Sequence, residues 1–246
     1  MTTITPETLP DELRRAADVV TGIAATFSDA DVTAPSKLPG WSRGHVLAHI
    51  CGIANAMARQ LEYASRGASI ELYDGGTDGR NRAIEMAAGH KAAEHRADVE
   101  ASLERALRAF GAVEGEGWKT PITYRGGAVF DGGLALWREL TIHACDLGAG
   151  RGPETWSRPF CEHLFDFLAA RVPEGKLFVL QPLGLPATSL GTAGGESIVI
   201  SGMLTDIAAW LAGREPSLGS LRATAAADGV ELPALLPWPA GVPLAK

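Results

Sequence analysis

Leu134-Ala-Leu-Trp-Arg-Glu-Leu-Thr-Ile-His-Ala-Cys-Asp-Leu-Gly148 reads as one helix that is apolar on nearly every side. Leu134, Leu136, Trp137, Leu140, Ile142, Ala144, Cys145 and Leu147 leave it no wet face, and such a helix is normally buried. Glu139 and His143 nevertheless sit inside it, four apart and so on one face, with Asp146 on the same flank. A buried carboxylate without a partner costs several kcal/mol or takes up a proton. A divalent metal would satisfy both groups. The competing reading is an exposed Glu–His pair on a solvated helix face.

Upstream, Ser42 caps a second helix from Arg43 to about Ser65, in which His45, His49, Gly52, Ile53 and Ala56 share a face. A helix opened by Asp11 as its N-cap runs to about Phe27 before it. A long helical pattern, Arg80 to about Phe110 with a kink at Gly89, follows it. The segment Gly115 to Gly133 is glycine-rich and suggests a short hairpin, Thr120–Tyr124 with Ala128–Phe130. Glu154 to Ala170 is a further helix. The composition then shifts to two strand-like runs, Lys176–Gln181 and Ser197–Ser201, a helix from Gly202 to Gly213, and a loop-rich tail from Glu215 with five prolines. The fold class expected is α+β: an up-and-down helical bundle over residues 1–170, then a small α/β domain over 171–246.

Composition narrows the function. The chain has 246 residues and a net charge of -7, without a Lys/Arg block, so nucleic acid is not an expected partner. No apolar run reaches the ~18 residues of a membrane span. The N-terminus lacks a basic region followed by an apolar core, so no signal peptide is expected. Cys51, Cys145 and Cys161 are an odd, widely spaced set within apolar helical patterns, which suits reduced thiols in the cytoplasm.

Three candidate ligands therefore come from two helices: a histidine of the His45-x3-His49 pair, Glu139 and His143. Two histidines and a carboxylate suit zinc with one open position, and iron(II) or nickel equally. Spacing does not choose between His45 and His49. Asp146 could orient a ligand histidine, or be a polar group of the last helical turn. Cys145, Trp41 and Trp137 read as packing.

Gly40-Trp-Ser-Arg-Gly-His-Val-Leu-Ala-His49, followed some ninety residues on by Arg138-Glu-Leu-Thr-Ile-His-Ala-Cys-Asp-Leu-Gly148, resembles the mycothiol-dependent maleylpyruvate isomerase family among the DinB-like metal-binding bundles. The resemblance covers nearly the whole chain. It implies a DinB-like four-helix bundle with His49, Glu139 and His143 as the metal ligands, zinc as the first choice of metal, and mycothiol as thiol cofactor. Arg80-Asn81 and Ala212-Gly213-Arg214 also match, more weakly. The implied chemistry is a metal-activated thiolate that adds to a cis double bond, permits rotation and is expelled. Arg214 would hold the substrate's carboxylate or enolate, while Arg80 and Asp146 would serve the cofactors. An arginine at a helix end can equally cap free carbonyls. Two alternatives stand beside this reading: S-transfer of mycothiol to another electrophile, and a non-catalytic binding module. The expected partners are small molecules, and the expected state is a monomer or weak homo-oligomer.

Overall fold

The computed structural model describes residues 4–225 and 228–239. They form two compact units, one of residues 5–150 and one that begins at Arg151.

In the first unit, α1 (Leu9–Thr26) is followed by the short α2 (Asp29–Thr33), α3 (Arg43–Ala64), α4 (Gly76–Ala88), α5 (Ala92–Gly111) and α6 (Val129–Asp146). The four longest close into a ring of contacts: α1 on α5, α5 on α3, α3 on α6, and α6 on α1. Leu13, Val20, Leu47, Ile50, Val99, Phe110, Leu136 and Leu140 fill the interior, each 2% exposed or less. Burying one such side chain is worth about 1.5–3 kcal/mol before chain entropy is counted. α4 lies against α3 and buries only Ile84 and Ala88.

Local chemistry sets the helix ends. Ser42 caps α3 as expected, its Oγ accepting the His45 amide. The first helix starts at Leu9, before the expected Asp11 cap, with Pro10 in its first turn. The expected Arg80–Phe110 helix is two helices. α4 stops at Gly89, and α5 restarts where the Glu94 carboxylate accepts the Lys91 amide and Asp29 accepts the Ala92 amide. The short α2 sits in what reads as a loop, capped by Ser28. Of the expected hairpin only one bridge forms, Pro121 with Ala128, around the tight turn Tyr124–Gly126. α6 starts five residues before Leu134, where Asp131 accepts the Ala128 amide at 2.8 Å. Gly132 and Gly133 therefore lie inside a helix. A Cβ on Gly133 would stand 2.7 Å from Leu9 Cδ2, and one on Gly132 2.9 Å from Ile122 Cδ1. Glycine here permits close approach of α1 and the preceding loop, which outweighs its poor helix propensity.

The second unit holds α7 (Arg158–Leu168), β1 (Lys176–Pro182), β2 (Thr188–Gly191), β3 (Glu196–Gly202), α8 (Leu204–Leu211), β4 (Arg222–Ala225) and β5 (Asp228–Val230). Strand order is β2-β1-β3-β4-β5, with β1 and β3 parallel and the other pairs antiparallel. α8 packs on β1 and β3, and α7 packs on α8. The division thus falls at residue 150, not 170. The apolar face of α7, with Phe160, Leu164 and Leu168 buried, is spent within the second unit. The tail reading also changes, because β4 and β5 lie in it. Both are short and rich in alanine or glycine, with little strand propensity, and β4 is held by its register on β3, Ile198 opposite Ala225. No helix among the described residues is long and apolar enough to cross a membrane.

Candidate metal centre

α3 and α6 pack side by side, and this contact brings His49 to Glu139 and His143. Each of the three offers one ligand atom, and these atoms all lie within 4.8 Å of one another. His49 Nε2 is 2.9 Å and His143 Nε2 3.1 Å from the same oxygen, Glu139 Oε2. The two imidazole planes are nearly perpendicular, at 87°. Asp146, one turn past His143 and 1% exposed, sits 2.8 Å from His143 Nδ1. A carboxylate there accepts a hydrogen bond from Nδ1–H and leaves Nε2 to point at Glu139. Asp146 is itself placed by its own backbone, whose carbonyl accepts the Lys37 amide.

The electrostatics follow from two imidazoles sharing one carboxylate. Burial works against charge on Glu139, but hydrogen bonds from His143 and His49 overcome it and hold the carboxyl well below its usual range. Burial likewise opposes protonation of His143. Hydrogen bonds to Asp146 and Glu139 outweigh it and raise the pKa to about 9. His49 goes the other way: burial lowers it, against the pull of Glu139. A proton thus holds His143 and Glu139 together where a cation could replace it. The donors, two imidazole nitrogens and one carboxylate oxygen, fit a divalent metal of the zinc, iron(II) or nickel type.

The neighbouring residues divide by element. His45 caps its own helix: Nδ1 accepts the Ser42 amide at 3.2 Å, and Nε2 faces Glu85 of α4 at 3.4 Å. It does not join the ligand cluster. The Trp41 ring stacks on His45 and meets His49 edge-on at 5.8 Å, so it borders the centre as well as packing. Trp137 and Cys145, each 2% exposed, belong to the core. Arg80, on α4, places Nη2 3.0 Å from His49 Nδ1. Arg214 lies in the second unit, where Gly213 in a left-handed conformation ends α8. The Arg214 amide bonds the Ala209 carbonyl, and its Nη1 donates to the Ala212 carbonyl at 3.0 Å. That is a helix-end contact of the capping kind. Three residues had no role in the sequence reading: Tyr73 and Arg138, each of which feels the Glu139 charge, and Tyr124, which acts on both. The tyrosines lie in irregular segments without periodicity, and Arg138 reads as one polar residue in an apolar helix.

A family model described as the mycothiol maleylpyruvate isomerase N-terminal domain matches residues 13–148, and one described as the MDMPI C-terminal domain matches residues 155–237. Among solved structures, a crystal structure of the mycothiol-dependent maleylpyruvate isomerase aligns with TM-score 0.81 and 23% identity, covering 95% of this chain and 99% of that one. A histidine-to-alanine mutant of the mycothiol-dependent maleylpyruvate isomerase aligns with TM-score 0.80 and 22% identity over the same shares. At these identities the likeness is one of fold. No curated protein matches the sequence.

Proposed function

The chain belongs to the mycothiol maleylpyruvate isomerase family, and from that premise we propose that it is a thiol-dependent cis–trans isomerase of maleylpyruvate-type substrates. The observation that carries the reading is the convergence of His49 Nε2 and His143 Nε2 on Glu139. These three residues would hold a divalent metal, with zinc the first expectation. Once bound, the metal and mycothiol together supply a thiolate near neutral pH, whose reversible addition to an activated cis double bond lets that bond rotate.

The residues of the chain do the rest. Asp146 accepts a hydrogen bond from Nδ1–H of His143, which keeps the Nε2 lone pair directed into the centre and fixes the ring. Glu139 contributes one negative charge, so a divalent ion on these ligands keeps a net positive charge that favours anionic ligands. Arg80 stands beside His49, within reach of an anion at the centre. Arg214 is proposed to bind the substrate's carboxylate or developing enolate, for which the planar guanidinium offers two parallel donors. A reaction of this kind leaves the thiol unchanged.

The test is an assay of purified, zinc-loaded protein with maleylpyruvate and mycothiol well below substrate concentration. Many turnovers per thiol, with fumarylpyruvate as product, are expected. Thiol consumed one-for-one with a stable thioether product would make the protein an S-transferase instead. Purified protein that holds no metal and ignores chelators would support a binding module.

A further inference from the structure

The two histidines of the centre are backed by side chains of opposite charge. His143 Nδ1 faces the Asp146 carboxylate at 2.8 Å. His49 Nδ1 faces a guanidinium instead, Arg80 Nη2 at 3.0 Å. Behind a metal ligand an acceptor is the usual partner, because the ligand ring donates its other N–H outward. His143 fits that pattern and His49 inverts it.

A guanidinium keeps its protons in proteins and has no lone pair to offer. The 3.0 Å contact is therefore a bond donated by Arg80 to an unprotonated Nδ1. A neutral imidazole then carries its one proton on Nε2, and that proton points at Glu139 Oε2, 2.9 Å away. The nitrogen that would ligate a metal is thus the nitrogen that holds the hydrogen. A ligand histidine is a neutral ring with its lone pair on the metal. For Nε2 to serve, the ring proton must pass to Nδ1, where it would meet a second donor. Two donors at 3.0 Å have no acceptor between them. The Arg80 charge would also oppose a dication on the other side of the ring. The Arg80–His49 bond and a metal on Nε2 exclude each other.

Of the two side chains, Arg80 is the one free to yield. His49 is 6% exposed, and its ring meets those of Trp41 and His143 edge-on, with centroids 5.8 and 4.8 Å away. Arg80 is half-buried on α4, a helix that buries only Ile84 and Ala88. Its Nη1 donates to Asn81 Oδ1 at 3.0 Å, so the guanidinium keeps a partner on its own helix when Nη2 lets go.

We propose that Arg80 is a latch on His49: it holds the ring in the tautomer that cannot ligate, and metal loading displaces it. The inference rests on the reading of His49, Glu139 and His143 as metal ligands. Asp146 orients His143 for the ion throughout, whereas His49 joins only when Arg80 swings off. Arg80 thereby lowers the affinity of the centre for its metal and ties the position of its own side chain to loading.

The test uses the full chain with zinc alone as probe, read by chelator competition. Arg80→Met should bind zinc roughly tenfold more tightly than wild type, through the loss of one competing hydrogen bond from a charged group. In wild-type protein with 15N-labelled histidine, nuclear magnetic resonance should find the His49 proton on Nε2 after chelator treatment and on Nδ1 after zinc is added. A crystal structure with zinc bound should show Arg80 away from His49 Nδ1. If Arg80 only fastened α4 to α3, the variant would lose melting temperature and gain no affinity. That result overturns the latch and leaves the metal centre standing. So does a proton on Nδ1 in chelator-treated wild type, or Arg80 still bonded to Nδ1 with zinc bound. Zinc taken up by neither protein removes the metal centre itself, and the latch with it.

Discussion

Glu139 in the first unit and Asp206 in the second are both carboxylates set into packed surroundings, and their partners differ in kind. Asp206 is fully buried and accepts the amides of Leu218 and Ser220 and the Ser220 hydroxyl, at 3.0, 2.8 and 2.7 Å. Burial opposes its charge, but these bonds hold its pKa below the usual value. None of those donors can be exchanged for anything else. They tie the loop after α8 back onto the helix. Glu139 is half-buried, and its partners are two imidazoles that can give up protons and take a cation. Asp206 is satisfied by backbone amides and a hydroxyl, whereas Glu139 is paired with groups that titrate and that could ligate a metal. Burial alone would rank Asp206 as the stronger functional candidate, and the partner types reverse that order.

The sharpest way to break this contrast is to remove each carboxylate. Glu139→Ala should abolish stoichiometric zinc and with it turnover, beyond the 10–100-fold typical of losing a supporting partner. Asp206→Ala should keep zinc, read by metal analysis, but destabilise by roughly 1–3 kcal/mol because buried amides lose their acceptor, which lowers Tm by several degrees. Zinc retained in Glu139→Ala would erase the distinction.

Arg214→Ala comes next. If the guanidinium binds the substrate, turnover should fall about a hundredfold or more with zinc unchanged. Arg214→Lys should recover little of it. If it only ends α8, turnover stays near normal and Tm drops by a few degrees.

Asp146→Asn sharpens the comparison from inside the site. It removes the acceptor that orients His143, and zinc affinity should fall roughly 10–100-fold in a chelator competition. Unchanged affinity would mean that Glu139 and packing orient the ring unaided.

The smallest effect is on pH. In metal-free protein the His143 pKa is raised from 6.5 to about 9. A raised pKa stabilises the fold fully below the unfolded value and loses that contribution as pH rises through the folded one. The Tm of chelator-treated protein should therefore decline between about pH 6.5 and 9, and zinc-loaded protein, whose ligands are already deprotonated, should lack that decline. Parallel melting profiles with and without metal would show that no proton occupies the metal's place. His45→Ala is the matching control, expected to leave zinc content alone because His45 bonds its own helix end.

Much of this was legible in the sequence because it is periodic. The apolar run around Glu139 and His143 marked α6 as buried, and Ser42 marked the start of α3. Two strands and α8 followed from composition. What escaped has no period. The turn at Gly89–Lys91 depends on side chains of Asp29 and Glu94 reaching back to amides. Tyr73 and Tyr124 lie in loops that Gln60, on a third segment, and a direct bond from Thr123 to the Ile70 carbonyl bring together.

By itself the sequence determined the helical faces, the cores of two strands and the candidate ligands Glu139, His143 and one of the pair His45 and His49, because such features arise from neighbours two to four positions apart along one element. Tertiary structure decided which unit α7 joins, since an amphipathic helix names a face and not a partner. It decided that β4 and β5 are strands, since their residues pair only through the register offered by β3. It also decided which of His45 and His49 stands with Glu139 and His143. Both stand on one face of α3, and only the packing of α6 against that helix sets Glu139 beside the second histidine and leaves the first at the helix cap.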